Sequence, residues 1–167
     1  MRVLSPRVLL AVLGIIGIGL VAAGVVLART LNLAACPLCI LQRMAYLLVA
    51  LESMMAMIFL RSTFGQQLAA LTMAATAALG SAVAGYQTWI QRFARDVSCT
   101  ADQPWWEQFV NWAGTQVPIL FESTGLCNEA GWKFLSLSIA EWSLLIFTGM
   151  TVAALNVAWK TNTFVES

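Results

Sequence analysis

Residues Cys36 to Leu60 read CPLCILQRMAYLLVALESMMAMIFL, two cysteines followed at once by an apolar run with an arginine one helical turn inside it. The run from Ile40 to Leu60 is long enough to cross a bilayer, because a helix needs about 20 residues to span a hydrocarbon core of ~30 Å. Three further stretches qualify: Val8 to Ala28, Leu68 to Ile90 and Ile139 to Trp159. The composition agrees, since 60% of the 167 residues are hydrophobic, 10% are charged and mean hydropathy is +0.79. A chain of this kind is a membrane protein. The expected fold is an all-α membrane protein, a single domain over 1–167 built as a four-transmembrane-helix bundle with external loops at 29–39 and 91–138.

The first apolar stretch follows Arg2 and Arg7 and ends in Val26-Leu27-Ala28, like a signal peptide. Its run exceeds the ~7–15-residue core of such a signal, so it reads as a retained helix. Four crossings put both termini on one side with the Arg61 to Gln67 connection. Cys36, Cys39, Cys99 and Cys127 then all lie in or beside the two loops on the opposite side. Arginine and lysine divide too evenly between the sides for charge to set the orientation. Redox chemistry decides instead: paired cysteines persist as disulfides outside the cytosol, which places the termini in the cytoplasm and the cysteine loops in a periplasm. Formal net charge is +1 with no long basic or acidic run, so no nucleic-acid partner is expected.

Small residues at Gly14/Gly17, Gly80/Ala84 and Ser81/Gly85 have the spacing of helix contacts, and Met54, Met55 and Met57 suit lipid or core packing. Within the long loop, Pro104 to Ala113 has helical periodicity. Trp105, Trp106, Phe109, Val110, Trp112 and Ala113 fall on one side, with Glu107, Gln108 and Asn111 on the other. That pattern predicts a short interfacial helix with tryptophans at headgroup depth. Glu52, a carboxyl well inside a span, is expected to hydrogen-bond a neighbouring helix.

A C-x-x-C pair brings two sulfurs within reach of an exchangeable disulfide, and a helix N-terminus favours the thiolate. Pro37 suits the first helical turn, which makes Cys36 the half-in residue and puts Cys39 and Arg43 at i and i+4 on one face. A zinc site is a poor fit, because the C-x-x-C is matched only by two separate cysteines and the chain has no histidine; no metal is assigned. Structural disulfides remain an alternative, in a four-span membrane scaffold with stapled external loops. For redox-active cysteines the electrons need an outlet. Neither histidine-ligated haem nor a G-x-G-x-x-G dinucleotide fingerprint is available, which leaves an acceptor dissolved in the membrane, such as a quinone beside Cys39 and Arg43.

These features together, CPLC with Arg43 four residues on, Gly85-Tyr86-Gln87 in the third span, single cysteines at 99 and 127, and Gly125-Leu126-Cys127-Asn128 with Trp132 beyond, resemble the DsbB family of bacterial inner-membrane thiol oxidoreductases. The resemblance covers nearly the whole chain. It implies an enzyme that reoxidises a periplasmic DsbA-like dithiol oxidase and passes the electrons to the quinone pool, with ubiquinone or menaquinone bound non-covalently. It further implies that Cys99 and Cys127 form the disulfide that meets the reduced partner, with Cys99 taking the mixed disulfide, and that the electrons pass to Cys36 and Cys39. Cys39 then donates to quinone, with Arg43 close to a quinone oxygen and Gln42 at the same site. Such exchange needs the long loop to move, which Gly114 and Gly125 would allow. Two departures touch the quinone site: Arg92 stands where some members carry histidine, and Gln42 replaces an acidic residue expected in some relatives.

Overall fold

The computed structural model describes residues 5–59, 62–93, 104–128 and 131–163. In chain order these form α1 (Pro6–Thr30), α2 (Pro37–Phe59), α3 (Thr63–Phe93), α4 (Trp105–Gln116), α5 (Pro118–Phe121), a two-stranded hairpin of β1 (Lys133–Phe134) and β2 (Leu137–Ser138), and α6 (Ile139–Thr163). α1, α2, α3 and the Ile139–Thr161 part of α6 are long and apolar enough to cross a membrane. Each span satisfies its own backbone hydrogen bonds, as the hydrocarbon demands.

The helix starts are set by local chemistry. Ser5 caps α1, its hydroxyl accepting from the Val8 amide at 3.4 Å, and Pro6 occupies the first turn. α3 begins at Thr63 rather than Leu68, so most of the connection expected at 61–67 is helix. Ser62 explains the difference: its hydroxyl accepts from the Gly65 amide at 3.1 Å and its carbonyl from the Gln66 amide at 3.0 Å. α6 starts with a capping box. The Glu141 amide donates to the Ser138 hydroxyl (3.3 Å) while the Ser138 amide donates to the Glu141 carboxylate (2.7 Å). Arg92, at the end of α3, pairs with that same Glu141.

α3 packs along α6, α1 along α2, and α2 along α3. Small residues allow the close approaches. A Cβ at Gly17 would lie 2.7 Å from the Tyr46 carbonyl, and one at Gly80 would lie 2.6 Å from the Phe147 ring. Phe147 is fully buried and stacks on Tyr46 with ring centroids 4.0 Å apart, so one aromatic pair joins α2 to α6 against α3. Polar ties reinforce the same contacts: Ser53 donates to the Leu10 carbonyl at 2.9 Å, and Thr76 donates to the Glu52 carboxyl at 2.9 Å. Glu52 thus bonds the neighbouring helix, as expected. Met54, Met55 and Met57 are exposed on the outer face of α2, where lipid would lie.

The expected loop helix is present as α4, but its apolar residues do not share one face. Val110 and Ala113 are buried and Trp106 packs against the cysteine region, whereas Trp105, Phe109 and Trp112 are exposed. The two sets are parallel stripes at i, i+4, i+7. The first covers protein, and the second is an outward aromatic face suited to headgroup depth. Glu107, expected on the polar side, is buried beside the inner stripe, and desolvation raises its carboxyl pKa above the ordinary carboxylate value. In the hairpin, Leu135 and Ser136 both take positive φ (50° and 68°), the requirement of a two-residue turn that matches strand twist.

Because the Gly17 contact is with backbone, which cannot swing aside, Gly17→Val forces α1 off α2. The expected loss is ~1–3 kcal/mol, read as an earlier unfolding midpoint when dodecyl sulfate is titrated into detergent-solubilised protein. An unchanged midpoint would rule out this α1–α2 contact.

Candidate functional site

The site grows from the start of α2. Cys36 is the half-in residue: its carbonyl accepts from the Ile40 amide at 3.1 Å, and its sulfur accepts from the Cys39 amide at 3.3 Å. A cysteine sulfur thus does the work of a capping oxygen. That geometry turns both sulfurs the same way, and the Cys36 thiol donates to the Cys39 sulfur at 2.9 Å.

A third sulfur joins them. Cys127, fully buried, hydrogen-bonds the Cys36 sulfur. Hydrogen bonding to Cys127 and then to Cys39, followed by burial, pushes the Cys36 thiol well above the ordinary thiol range, so Cys36 keeps its proton. The segment carrying Cys127 is tied down just upstream, where the Thr124 and Gly125 amides both donate to the Ala35 carbonyl (3.0 and 2.9 Å). A Cβ at Gly125 would lie 2.4 Å from the Ala34 carbonyl, and one at Gly114 would lie 2.8 Å from the Phe121 carbonyl. Both glycines, expected to lend flexibility, are positions of close backbone approach. Cys99, the remaining expected site residue, lies outside the described residues.

Arg43 is half-buried one turn below Cys39. Its guanidinium donates to the Leu120 carbonyl at 3.1 Å and to the Gly24 carbonyl at 3.4 Å, bridging α1, α2 and α5. Gln42 points elsewhere: its amide donates to the Gln87 side-chain oxygen at 2.7 Å, with both residues buried. Gln87 in turn donates to Cys36 and to Cys39, each at 3.1 Å. In the sequence Gln87 stands out only as part of the Gly85-Tyr86-Gln87 motif. The available signal was a polar amide inside an apolar span, which must find partners there.

Two cavities meet at this cluster. One, of about 190 Å³, lies on the loop side and is lined by Cys36, Cys39, Gln87, Gly125 and Trp132, among others. The other, of about 110 Å³, is a mainly apolar slot between α1, α2 and α6, walled by residues such as Leu20, Val21 and Leu27, with Arg43, Tyr46 and Ser143 as its polar points. Cys39 and Ile139 line both, and Gln42 borders the slot. Apolar walls with a few convergent donors are the lining of a small-ligand site, here at a smaller volume than is usual for one.

Comparison with known proteins agrees with this architecture. The family described as "Disulfide bond formation protein DsbB" matches residues 6–157. A protein named Disulfide bond formation protein B from Dechloromonas aromatica is 38% identical over 89% of either chain. One of the same name from Nitrosomonas europaea is 33% identical over 96% of this chain and 98% of its own.

The Gly125 contact yields a direct test of how Cys127 is positioned. In a Cys39→Ser, Cys99→Ser background, copper-phenanthroline should link Cys36 to Cys127 rapidly. Adding Gly125→Val should slow that linkage about tenfold or more, as expected for an overpacked backbone contact. An equal rate would show that the loop is not held where the structure puts it.

Proposed function

The chain belongs to the DsbB family of disulfide-forming membrane oxidoreductases, and we propose that it reoxidises a periplasmic DsbA-like dithiol protein and delivers the electrons through its cysteines to a membrane quinone. One observation carries this reading: Cys39 borders both the loop-side chamber, which Cys36 also lines, and the apolar slot beside Arg43. A structural staple needs no such placement. In this reading the membrane is a bacterial inner membrane, with the termini in the cytoplasm and the cysteine loops in the periplasm.

The relay is a series of exchanges. A partner thiolate attacks Cys99, forming a partner–Cys99 disulfide, breaking the Cys99–Cys127 bond and leaving an electron pair on Cys127; the partner's second thiolate later displaces Cys99 and closes the partner's own disulfide. The Cys127 thiolate then attacks Cys36, its hydrogen-bonded neighbour. A Cys36–Cys127 bond forms, the Cys36–Cys39 bond breaks, and the electron pair is left on Cys39. Attack must come along the breaking sulfur–sulfur axis.

Leu20, Val21 and Leu27 would hold an apolar quinone ring in the slot, and Arg43, Tyr46 and Ser143 would supply the polar groups for its oxygens. When bound, a quinone supplies the terminal acceptor for two electrons and two protons. Arg43 is oriented by the Gly24 and Leu120 carbonyls, which hold its charge near the slot end closest to Cys39.

The test is quinone consumption, followed by ultraviolet absorbance, with purified protein in detergent, ubiquinone and a reduced DsbA-like protein. Wild type should turn over, and Cys39→Ser and Cys99→Ser should not. Arg43→Leu should raise the quinone KM about ten- to hundredfold, the worth of one hydrogen bond to a charged group. A wild-type protein that leaves quinone untouched while its cysteines stay inert would favour the scaffold.

A further inference from the structure

We infer that Gln87 is a catalytic residue of the thiol relay, the amide that holds the negative charge released when the Cys36–Cys39 bond opens, and that Gln42 is the positioning residue that keeps this amide correctly turned. The inference rests on the exchange reading above and adds two residues to it.

A glutamine side-chain nitrogen carries two hydrogens. At Gln87 each has one acceptor, the Cys36 sulfur and the Cys39 sulfur, both at 3.1 Å. Disulfide sulfurs accept hydrogen bonds weakly, whereas a thiolate accepts them strongly. Attack by Cys127 on Cys36 forms one sulfur–sulfur bond, breaks another and leaves the electron pair on Cys39, with no proton transferred. The Gln87 donors are already in place for that charge, so nothing must reorganise as it develops.

Arg43, the nearby cation, favours that charge through space, whereas its hydrogen bonds go to the Gly24 and Leu120 carbonyls. The directions of approach also differ. Gln87 lines the loop-side chamber, whereas Arg43 lines the slot. Gln87 therefore reaches the sulfurs from the chamber and leaves the slot side of Cys39 open to an acceptor.

Gln42 fixes the orientation. Its amide nitrogen donates to the Gln87 oxygen at 2.7 Å. Turning Gln87 around would set donor against donor and present an oxygen to the sulfurs. Both glutamines are buried, with 3% and 2% of their surface exposed, so a mismatched pair would be costly. The neutral amide pair thus supplies a directed donor without adding a charge to the interior.

The experiment uses the full chain in detergent in a Cys99→Ser, Cys127→Ser background, where only Cys36 and Cys39 exchange, and needs neither quinone nor partner. The pair is equilibrated with glutathione buffers, and Cys39 alkylation by iodoacetamide is followed against pH. Gln87→Leu removes the donors. Gln87→Glu keeps the oxygen that Gln42 bonds and replaces the donors with a second oxygen. In both, the equilibrium constant for reducing the pair should fall about tenfold, ~30 mV for a two-electron couple, and the alkylation profile should move to higher pH. Gln42→Leu should shift both readings the same way, by less. Equilibria within about threefold of wild type and unmoved pH profiles in the Gln87 variants would overturn the inference, even if their thermal midpoints fell. If Gln87→Leu does not fold, Gln87→Glu and Gln42→Leu decide by the same criterion. A wild-type protein inert toward quinone would sink the relay reading separately, since these measurements do not involve quinone.

Discussion

An amide buried inside an apolar helix bundle must be fully partnered, and here that requirement is met by sulfur. Gln87 of α3 spends its two donors on Cys36 and Cys39 at the start of α2, and its oxygen on Gln42 one turn further along α2. Leaving such a group unpaired would cost ~1–3 kcal/mol, so the network constrains how the loop-side ends of α2 and α3 meet. The cysteine pair, the half-in position of Cys36 and the chamber around them all depend on that junction.

The other end of the site depends on close backbone approach. Gly17 lets α1 lie against the Tyr46 carbonyl, and Gly80 lets α3 receive Phe147, which stacks on Tyr46 from the α6 side. Three helices are thereby held around one tyrosine, and the slot bounded by α1, α2 and α6 opens just above it. In a bilayer, helices gain little from burying apolar surface against each other, so packing shape and a few hydrogen bonds decide their arrangement. Arg43 stands where these two parts of the structure meet, fixed by carbonyls of α1 and α5.

The described residues between α3 and α6 are anchored to the bundle. The inner stripe of α4 covers the cysteine region through Trp106, and the Thr124 and Gly125 amides dock on Ala35. The outer stripe, Trp105, Phe109 and Trp112, remains exposed. The same short helix can thus rest on protein and on headgroups at once. The Ala35 contacts, two and three residues upstream of Cys127, thus help hold that cysteine beside Cys36.

The four spans, their order, the chemistry of a C-x-x-C at a helix start and the separation of cysteines from the termini were legible in the residues themselves, because hydrocarbon imposes the same length and polarity on every crossing segment. Helix starts were less so: Ser62 extended α3 back to Thr63 by a capping bond that hydropathy does not register. The division of the α4 aromatics between two faces was not readable either, since tryptophan suits protein and headgroups alike. Nor was the choice of Cys36 as the contact of Cys127, within the cysteine cluster the resemblance implied, or the turn of Gln42 toward Gln87. These contacts join residues far apart in the chain, and their partners are chosen by close approach between backbones, which only the assembled bundle specifies.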